Sequence, residues 1–331
     1  MSGKRILFLP AYGPAIGGGH AFRCFTLAQA LVQRGASCGV AMDADAARAL
    51  HGFRPDGVEG LQRGDALPTA RGFKADLVVI DDYGSDADNE AHLVEAGVQV
   101  AIIDDLANRR HDCSLLVDPG FGRAARDYAG LVPQVATVLA GPDYALLRPE
   151  FAKARPAALN RRKGAFGHRA LVSLGLTDVG GITAKVTQLL AGLVPMTVVL
   201  GADAPSLDAV RALPGVTMHL DARDMAGLIA AADIGIGGGG VGVWERACLG
   251  LPSILIVLAD NQAAMARALD DVGVVIAIDA REDGFEPRLV AAVERLFSDE
   301  ELRCRLTQGA AHLCDGLGAG RVADAIIAKL G

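Results

Sequence analysis

Residues 234–262 read IGIGGGGVGVWERACLGLPSILIVLADNQ and contain the pattern that decides the fold. An apolar segment runs into four consecutive glycines, residues 237–240, and a short helical pattern follows. Gly250 and Pro252 are expected to end that helix, because glycine accepts the left-handed cap and proline cannot continue the hydrogen-bond ladder. A second apolar segment, residues 253–258, comes next. This order of strand, turn, helix and strand is typical of an α/β protein with a parallel sheet.

The glycine turn predicts an anion-binding site. Glycine lets backbone N–H groups approach a ligand closely, and the start of a helix favours negative charge. We therefore expect Gly239, Gly240 and Val241 to contact a phosphate group. The alternative is a turn whose glycines serve only backbone freedom. The spacing differs from the dinucleotide fingerprint, and no acidic residue follows where that fingerprint needs one.

Composition favours two globular domains and excludes several partners. The 331 residues are 51% hydrophobic, and their net charge of −7 offers no positive field for nucleic acid. The six cysteines form no C-x-x-C pair, so we expect free thiols in a reducing cytoplasm and no metal site. The N-terminal apolar run is too short for a signal peptide, and no run is long enough for a membrane span. We expect a cytoplasmic protein.

Strand and helix patterns alternate along both halves of the chain. They predict an α/β protein with two doubly wound parallel-sheet (Rossmann-like) domains that face a cleft. We place the first domain at residues 1–155, a basic Pro-containing linker at 156–168 and the second domain at 169–331. The last helix of the chain is expected to pack back on the first domain. Residues 52–74 have no clear period and are predicted to be irregular.

Polar residues collect where the predicted strands end. His20 follows three glycines and opens a helix, Asp81 and Asp82 precede Tyr83, and Asp104 and Asp105 form a second acidic pair. An imidazole with a pKa of about 6.5 suits a general base at neutral pH. Each residue also has a structural alternative: His20 as a helix cap, and the aspartates as strand-end caps. The other histidines are expected at the surface.

Six motifs, in order along nearly the whole chain, resemble one family. They are IGGGHAFR (16–23), IDDYG (80–84), DDLA (104–107), GPDYALLRPEF (141–151), G-x-x-x-WER-x-x-x-G-x-P (240–252) and ADNQ (259–262). Together they resemble the UDP-2,4-diacetamido-2,4,6-trideoxy-β-L-altropyranose hydrolases of pseudaminic acid biosynthesis. That family is GT-B-like, so the resemblance implies the GT-B-like arrangement of the two domains.

The resemblance implies a metal-independent hydrolase that needs no cofactor. Water would attack the anomeric carbon of the UDP-sugar and release UDP and the free sugar, with His20 as the catalytic base. The implied substrate-binding residues are Gly17, Gly19, Arg23, Asp82, Tyr83, Tyr144, Arg148, Asn261 and Gln262. The implied nucleotide-binding residues are Gly175, Thr177, Asp178, Gly239, Gly240, Val241 and Glu245, with Glu245 on the ribose. Arg23 could instead pair with a carboxylate.

Two positions depart from the family pattern. Ser or Thr follows the glycines in many members, whereas this chain has Gly242 and Val243, so only backbone groups would contact the phosphate there. The Gly-Gly-x-Asp loop of some relatives is Gly-Leu-Thr-Asp at residues 175–178.

Other functions remain open from the sequence. A GT-B glycosyltransferase would use the same UDP-sugar with a separate acceptor. A non-catalytic nucleotide-sugar binding protein, or a 2-epimerase on the same fold, would also fit the second domain. Association with other enzymes of the pathway, in flagellin glycosylation or surface-glycan synthesis, is a further expectation.

Overall fold

The computed structural model describes residues 3–13, 16–164 and 166–331. Its strands, in chain order, are β1 (Arg5–Pro10), β2 (Ser37–Met42), β3 (Val58–Gln62), β4 (Leu77–Asp81), β5 (Gln99–Ile103), β6 (Leu115–Asp118), β7 (Thr137–Ala140), β8 (Ala170–Ser173), β9 (Met196–Leu200), β10 (Val216–Leu220), β11 (Ile234–Gly238), β12 (Ser253–Val257) and β13 (Ile276–Asp279). Pro14 and Ala15, and Ala165 of the predicted linker at 156–168, lie outside the described residues.

The α-helices are, in chain order, α1 (Gly19–Val32), α2 (Ala44–Ala49), α3 (Ala66–Phe73), α4 (Ala87–Glu95), α5 (Pro149–Arg161), α6 (Ile182–Leu190), α7 (Leu207–Arg211), α8 (Met225–Ala231), α9 (Gly242–Cys248), α10 (Asp260–Asp271), α11 (Phe285–Ser298), α12 (Glu300–Leu313) and α13 (Gly318–Leu330). Of the helices in the described ranges, none is long and apolar enough to cross a membrane.

The chain divides into two compact units. The first unit is Met1–Leu146 together with Leu317–Gly331, and the second unit is Leu147–Gly316. The predicted linker at 156–168 is wrong in its first part, because α5 continues through Arg161. Alanine and arginine favour helix there, and the side chain of Arg161 donates to Asp233 Oδ1 at 2.5 Å, which ties the helix to the second unit.

The first unit contains a seven-stranded sheet with the order β3-β2-β1-β4-β5-β6-β7. All its pairings are parallel, and β1 lies between β2 and β4, with Pro10 opposite Asp81. Successive strands are added on one side of β1 up to β3 and on its other side from β4 onward. Doubly wound sheets bind ligands at this reversal of strand order, which here lies between β1 and β4. The prediction that 52–74 is irregular is wrong, since β3 and α3 lie there. As an edge strand, β3 is mostly exposed and lacks the apolar run of a central strand.

The second unit contains a six-stranded sheet with the order β10-β9-β8-β11-β12-β13. Its pairings are also parallel, and the reversal falls between β8 and β11, with Ser173 opposite Gly237. Both central strands are buried, as a parallel sheet covered on two faces requires. The prediction of two doubly wound, Rossmann-like α/β sheets is confirmed.

Helix α13 belongs to the first unit, and its first residue, Gly318, packs closely against backbone atoms of that unit. A Cβ on Gly318 would lie 2.3 Å from the backbone oxygen of Ala145. Farther along, Arg34 donates to Asp324 at 2.7 Å and the Gln99 amide donates to the Lys329 carbonyl at 3.1 Å. The helix can therefore approach the 142–145 backbone this closely only because residue 318 is glycine, which has no Cβ.

We expect Gly318→Ala to lower the free energy of unfolding of the first unit by about 1–3 kcal/mol, because the new methyl group meets backbone atoms that cannot move aside. The matched control is Gly320→Ala in the same helix, where a Cβ meets only the end of the Arg34 side chain at 3.4 Å. That change should be neutral or stabilise by up to about 1 kcal/mol. Urea unfolding with hydrogen exchange on α1 and α13 measures both; equal effects would contradict the packing argument.

Candidate functional site

His20 and Asp81 form a buried pair at the reversal point of the first sheet. His20 is the second residue of α1, which follows β1, and Asp81 is the last residue of β4. Because β1 and β4 are neighbours, the pairing brings the two side chains together, with Nδ1 of His20 2.5 Å from Oδ1 of Asp81. Asp81 has no exposed surface and His20 only 6%.

The pair fixes where the imidazole proton lies. Burial raises the pKa of Asp81, but the charge of Arg23 and the hydrogen bonds from Arg23 and His20 outweigh it, so the pKa is below its ordinary value and the group is a carboxylate. A carboxylate only accepts, so Nδ1 carries the proton and donates. No described residue bonds to Nε2 of His20. In this tautomer Nε2 has a free lone pair, as a general base requires.

Arg23 pairs with carboxylates, which resolves the alternative left by the sequence. Its Nε and Nη2 donate to Asp81 at 2.5 and 2.6 Å, and its Nη1 donates to Asp105 at 2.9 Å. Burial lowers the pKa of Arg23, but both aspartates raise it, and the net pKa lies above the ordinary value. All three guanidinium nitrogens are therefore engaged within the protein, and substrate binding by Arg23 stays a prediction.

Tyr83 joins this network from the loop after β4. Its hydroxyl donates to Asp105 Oδ1 at 2.8 Å, and its ring meets the His20 ring edge-on with centroids 4.8 Å apart. Burial and the charge of Asp105 raise the pKa of Tyr83, so the phenol stays protonated. With 36% of its surface exposed, Tyr83 can contact a ligand beside Nε2.

The other predicted residues of the first unit do not join the network. The Asp82 carboxylate pairs with Arg63 at 2.6 Å and caps its own turn by accepting from Gly84 N–H at 2.9 Å. Gly17 has φ +86°, which only glycine adopts readily, and Gly19 is the first residue of α1. Tyr144 ends a 3₁₀ turn and is half-buried.

Arg109 holds the two loops that carry Tyr83 and Asp105. It donates to Asp104 Oδ1 at 2.7 Å from Nη1, to the Ser85 carbonyl at 2.8 Å from Nε and to the Asp82 carbonyl at 3.3 Å from Nη2. The loops after β4 and β5 are thus tied together by one side chain. Nothing in the sequence motifs indicated this role.

A buried tyrosine shares its proton between two aspartates beneath these loops. The hydroxyl of Tyr128 lies 2.9 Å from Asp104 Oδ2 and 2.8 Å from Asp118 Oδ2, yet it has one proton to donate. Burial raises the pKa of Asp118 to about 6, against the opposing effects of Gly120, Tyr128 and Arg123. Burial also raises the pKa of Asp104, but Ala107 N–H and Arg109 outweigh it and the net pKa is lowered. Below about pH 6 a protonated Asp118 donates to the Tyr128 hydroxyl, which then donates to Asp104; above that pH the one tyrosine proton lies between two carboxylates.

His111 is buried, which corrects the prediction that it lies at the surface. Its Nδ1 is 2.8 Å from Oε1 of Glu90, and neither side chain is exposed. Local patterns could not predict this pair, because His111 and Glu90 are separated along the chain and meet only in the fold. No group of three or more His, Cys, Asp or Glu residues in the described ranges has a metal-binding arrangement.

The glycine turn of the second unit presents unused backbone donors. It connects β11 to α9 at the reversal point of the second sheet. No described residue accepts a hydrogen bond from the N–H groups of Gly240, Val241 or Gly242. A Cβ on Gly240 would meet no atom within 4 Å, so this side of the turn is open. Consecutive free N–H groups form a concavity suited to an anion.

Glu245 lies in α9 with its carboxylate free of hydrogen bonds from any described residue. The side chain is 17% exposed, and Arg148 Nη2 lies 4.0 Å from Oε1. Burial raises the pKa of Glu245, which Arg148 and Arg246 oppose. Both carboxylate oxygens can therefore accept from a ligand hydroxyl. Arg148, which we had placed in the first domain, belongs to the second unit.

The loop after β8 is less suited to a ligand than predicted. Asp178 is fully buried; its Oδ1 accepts from the hydroxyl and N–H of Thr183, and its Oδ2 accepts from Ser206 N–H. The carboxylate fixes the start of α6 and is not available to a ligand in this arrangement; nucleotide binding by Asp178 stays a prediction. Gly175, with φ +116°, and half-buried Thr177 remain at the reversal point.

Asn261 and Gln262 lie in the first turn of α10 and not at a strand end. The Gln262 side chain packs over Gly239, where a Cβ would lie 3.3 Å away, and its Oε1 accepts from Leu258 N–H at 3.0 Å. Asn261 is exposed. Gln262 thus supports the glycine turn, and its amide nitrogen and that of Asn261 remain available.

The chain is similar in part to a glycosyltransferase domain and to two curated bacterial proteins. Residues 215–312 match the glycosyltransferase family 28 C-terminal domain. The chain is 32% identical over 192 residues to the spore coat polysaccharide biosynthesis protein SpsG of Bacillus subtilis, covering 55% of this chain and 56% of that protein. It is 30% identical over 135 residues to a UDP-2,4-diacetamido-2,4,6-trideoxy-β-L-altropyranose hydrolase of Campylobacter jejuni, covering 40% and 47% respectively. The matches span about half the length of these relatives.

Solved structures support the fold over the whole chain. MurG of Acinetobacter baumannii superposes with a TM-score of 0.67 at 17% identity, over 98% of this chain and 99% of that one. The S. aureus MnaA–UDP co-structure gives 0.66 at 10% identity, over 99% and 97%. Such low identities show the fold alone. The predicted GT-B-like fold class is confirmed, and the resemblance to the hydrolase family is supported in part.

Asp118 should make stability depend on pH. A free carboxyl has a pKa of about 3.9, and the folded value is raised to about 6, so the stabilising contribution is full below about pH 4 and is lost as the pH rises through about 6. We expect the free energy of unfolding of Asp118→Asn to rise relative to that of the wild type by about 3 kcal/mol between pH 4 and pH 8.

Urea unfolding at several pH values measures this difference. The control is Asp56→Asn, because Asp56 is exposed and its surroundings change little on unfolding. A constant difference between Asp118→Asn and the wild type over this pH range would show that Asp118 is already charged in the folded protein.

Proposed function

We propose that the protein is a nucleotide-sugar hydrolase that removes UDP from a UDP-diacetamido-trideoxy-hexose of the β-L-altro type. The observation that carries the proposal is the His20–Asp81 pair with Nε2 unoccupied, at the reversal point of a doubly wound sheet. The named Campylobacter jejuni relative supports the choice of reaction and of sugar. A place in pseudaminic acid biosynthesis, for flagellin or a surface glycan, belongs to the same proposal.

The chemistry follows from the tautomer of His20. Nε2 accepts a proton from water as the water oxygen bonds to the anomeric carbon, and the bond from that carbon to the UDP oxygen breaks. UDP leaves with the electron pair. Asp81 keeps the imidazole oriented and stabilises the imidazolium that forms, as the carboxylate does in a Ser-His-Asp triad. The Tyr83 hydroxyl, held by Asp105, can orient the sugar or the water.

In this proposal the second unit binds the nucleotide. The free N–H groups at Gly240–Gly242 suit the diphosphate, and the unbonded carboxylate of Glu245 suits the ribose hydroxyls. Arg148 lies next to Glu245, and its positive charge favours the ionised form of the carboxylate. The match of residues 215–312 to a glycosyltransferase domain supports a UDP-sugar at this site.

A glycosyltransferase is the second candidate. The family 28 match favours it directly, and a base such as His20 would deprotonate an acceptor hydroxyl as readily as water. The two functions differ in one requirement, since a transferase releases UDP only when an acceptor is present. A protein that only binds the nucleotide sugar would have no use for a free Nε2 oriented by a buried carboxylate.

We expect purified protein to release UDP from the diacetamido-trideoxy-altrose nucleotide with no acceptor present. His20→Ala should lower the rate by about 100-fold or more, since general base catalysis contributes about that factor, while UDP affinity remains. His92→Ala is the matched control because His92 is exposed on α4. Release that depends on an added acceptor would sink the hydrolase proposal, and full turnover in His20→Ala would remove His20 from its role.

Glu245→Gln should weaken UDP binding by about tenfold or more, because hydrogen bonds to a charged group contribute about 1.5–3 kcal/mol. The affinity for UDP lacking both ribose hydroxyls should not change. Glu294→Gln, on the exposed face of α11, is the control. Isothermal titration measures all three proteins; equal losses for UDP and the dideoxy compound would refute the ribose assignment.

A further inference from the structure

Arg246 is buried beneath the glycine turn. It follows Glu245 in α9, and only 3% of its surface is exposed. A Cβ on Gly237 would lie 2.1 Å from its Nη1, and a Cβ on Gly235 would lie 2.8 Å from its Cδ. These two glycines are therefore needed to make room for the arginine side chain, whereas Gly240 faces open space.

The charge of Arg246 has little compensation within the protein. Among the described residues, its one hydrogen-bond acceptor is the Gly238 carbonyl, 3.1 Å from Nη2, and it forms no ion pair with a carboxylate. Its Nε is buried and has no partner. Burial lowers the pKa of Arg246 to about 10, opposed by the charge of Glu245, so the group is still a cation at neutral pH. Buried cations are normally paired, because an uncompensated charge costs several kcal/mol.

Arg162 shows how the same unit satisfies a structural arginine. Its Nε donates to the Leu249 carbonyl at 3.3 Å, its Nη2 to the Ile229 carbonyl at 2.8 Å and its Nη1 to the Ala232 carbonyl. Every nitrogen of that guanidinium has an acceptor. Arg246 differs because two of its three nitrogens have none in the described structure.

We infer that Arg246 is the positioning residue of the diphosphate subsite: it holds the Gly238 carbonyl and places a positive charge beneath the free N–H groups at residues 240–242. A bound diphosphate then supplies the missing negative charge. The inference rests on the proposed function, since it takes UDP as the ligand of this turn. It also assigns different roles to the glycines: Gly235 and Gly237 accommodate the arginine, and Gly240 faces the ligand.

The test compares UDP with uridine, which lacks the diphosphate. Wild type, Arg246→Gln, Arg246→Lys and the control Arg162→Gln are titrated with each ligand. We expect Arg246→Gln to lower UDP affinity by about tenfold or more, as removal of a buried charge partner does, with uridine affinity changed less than about twofold. Arg246→Lys keeps a charge and should lose less UDP affinity. Arg162→Gln should lower thermal stability and leave the ratio of the two affinities unchanged.

The ratio of UDP to uridine affinity separates the outcomes. A lower ratio in Arg246→Gln than in the wild type supports the inference. If Arg246→Gln does not fold, a lower ratio in Arg246→Lys supports it instead. A ratio that stays at the wild-type value in the folded Arg246 variants overturns it and shows a purely structural arginine. If wild-type protein binds no UDP, the proposed function fails and the inference fails with it.

Discussion

The pairing of strands at the reversal point of each sheet determines where chemistry can occur. In the first unit, β1 lies against β4, so the start of α1 and the end of β4 meet, and His20 reaches Asp81. In the second unit, β8 lies against β11, and the glycine turn follows β11. Parallel strands present their carboxyl ends at one edge, and the reversal leaves a crevice there. Both candidate sites therefore follow from topology before any particular side chain is considered.

Asp81 is the side chain on which the first site depends. It accepts from both His20 and Arg23 while fully buried, and such a group is costly unless its partners compensate the charge. Arg23 also donates to Asp105, which in turn accepts from the Tyr83 hydroxyl. Arg109 holds the loops that carry Asp105 and Tyr83. In the second unit, Arg246 differs from Asp81, since it is buried and no carboxylate among the described residues pairs with its positive charge. One unit thus has a self-contained network, and the other is incomplete without an anion.

Local patterns in the sequence predicted interior strands better than edge strands. The apolar segment at residues 253–258 corresponds to β12 (Ser253–Val257), an interior strand that is buried throughout. Strand β3 was missed because it is mostly exposed, and β7 because it is half-buried at the opposite edge. The motifs led to His20, Tyr83 and Glu245. They could not show that Asp178 is buried or that Arg246 lacks a partner, because those properties arise from residues distant in the chain.

The central claim is that water activated by His20 attacks the anomeric carbon. The most direct measurement is mass analysis of the products formed from the UDP-sugar in isotopically labelled water without acceptor. Phosphate oxygens of UDP do not exchange with water under these conditions, so the mass of UDP decides the site of attack. The account predicts heavy oxygen in the free sugar and none in UDP. Heavy oxygen in UDP would place the attack at phosphorus and contradict it.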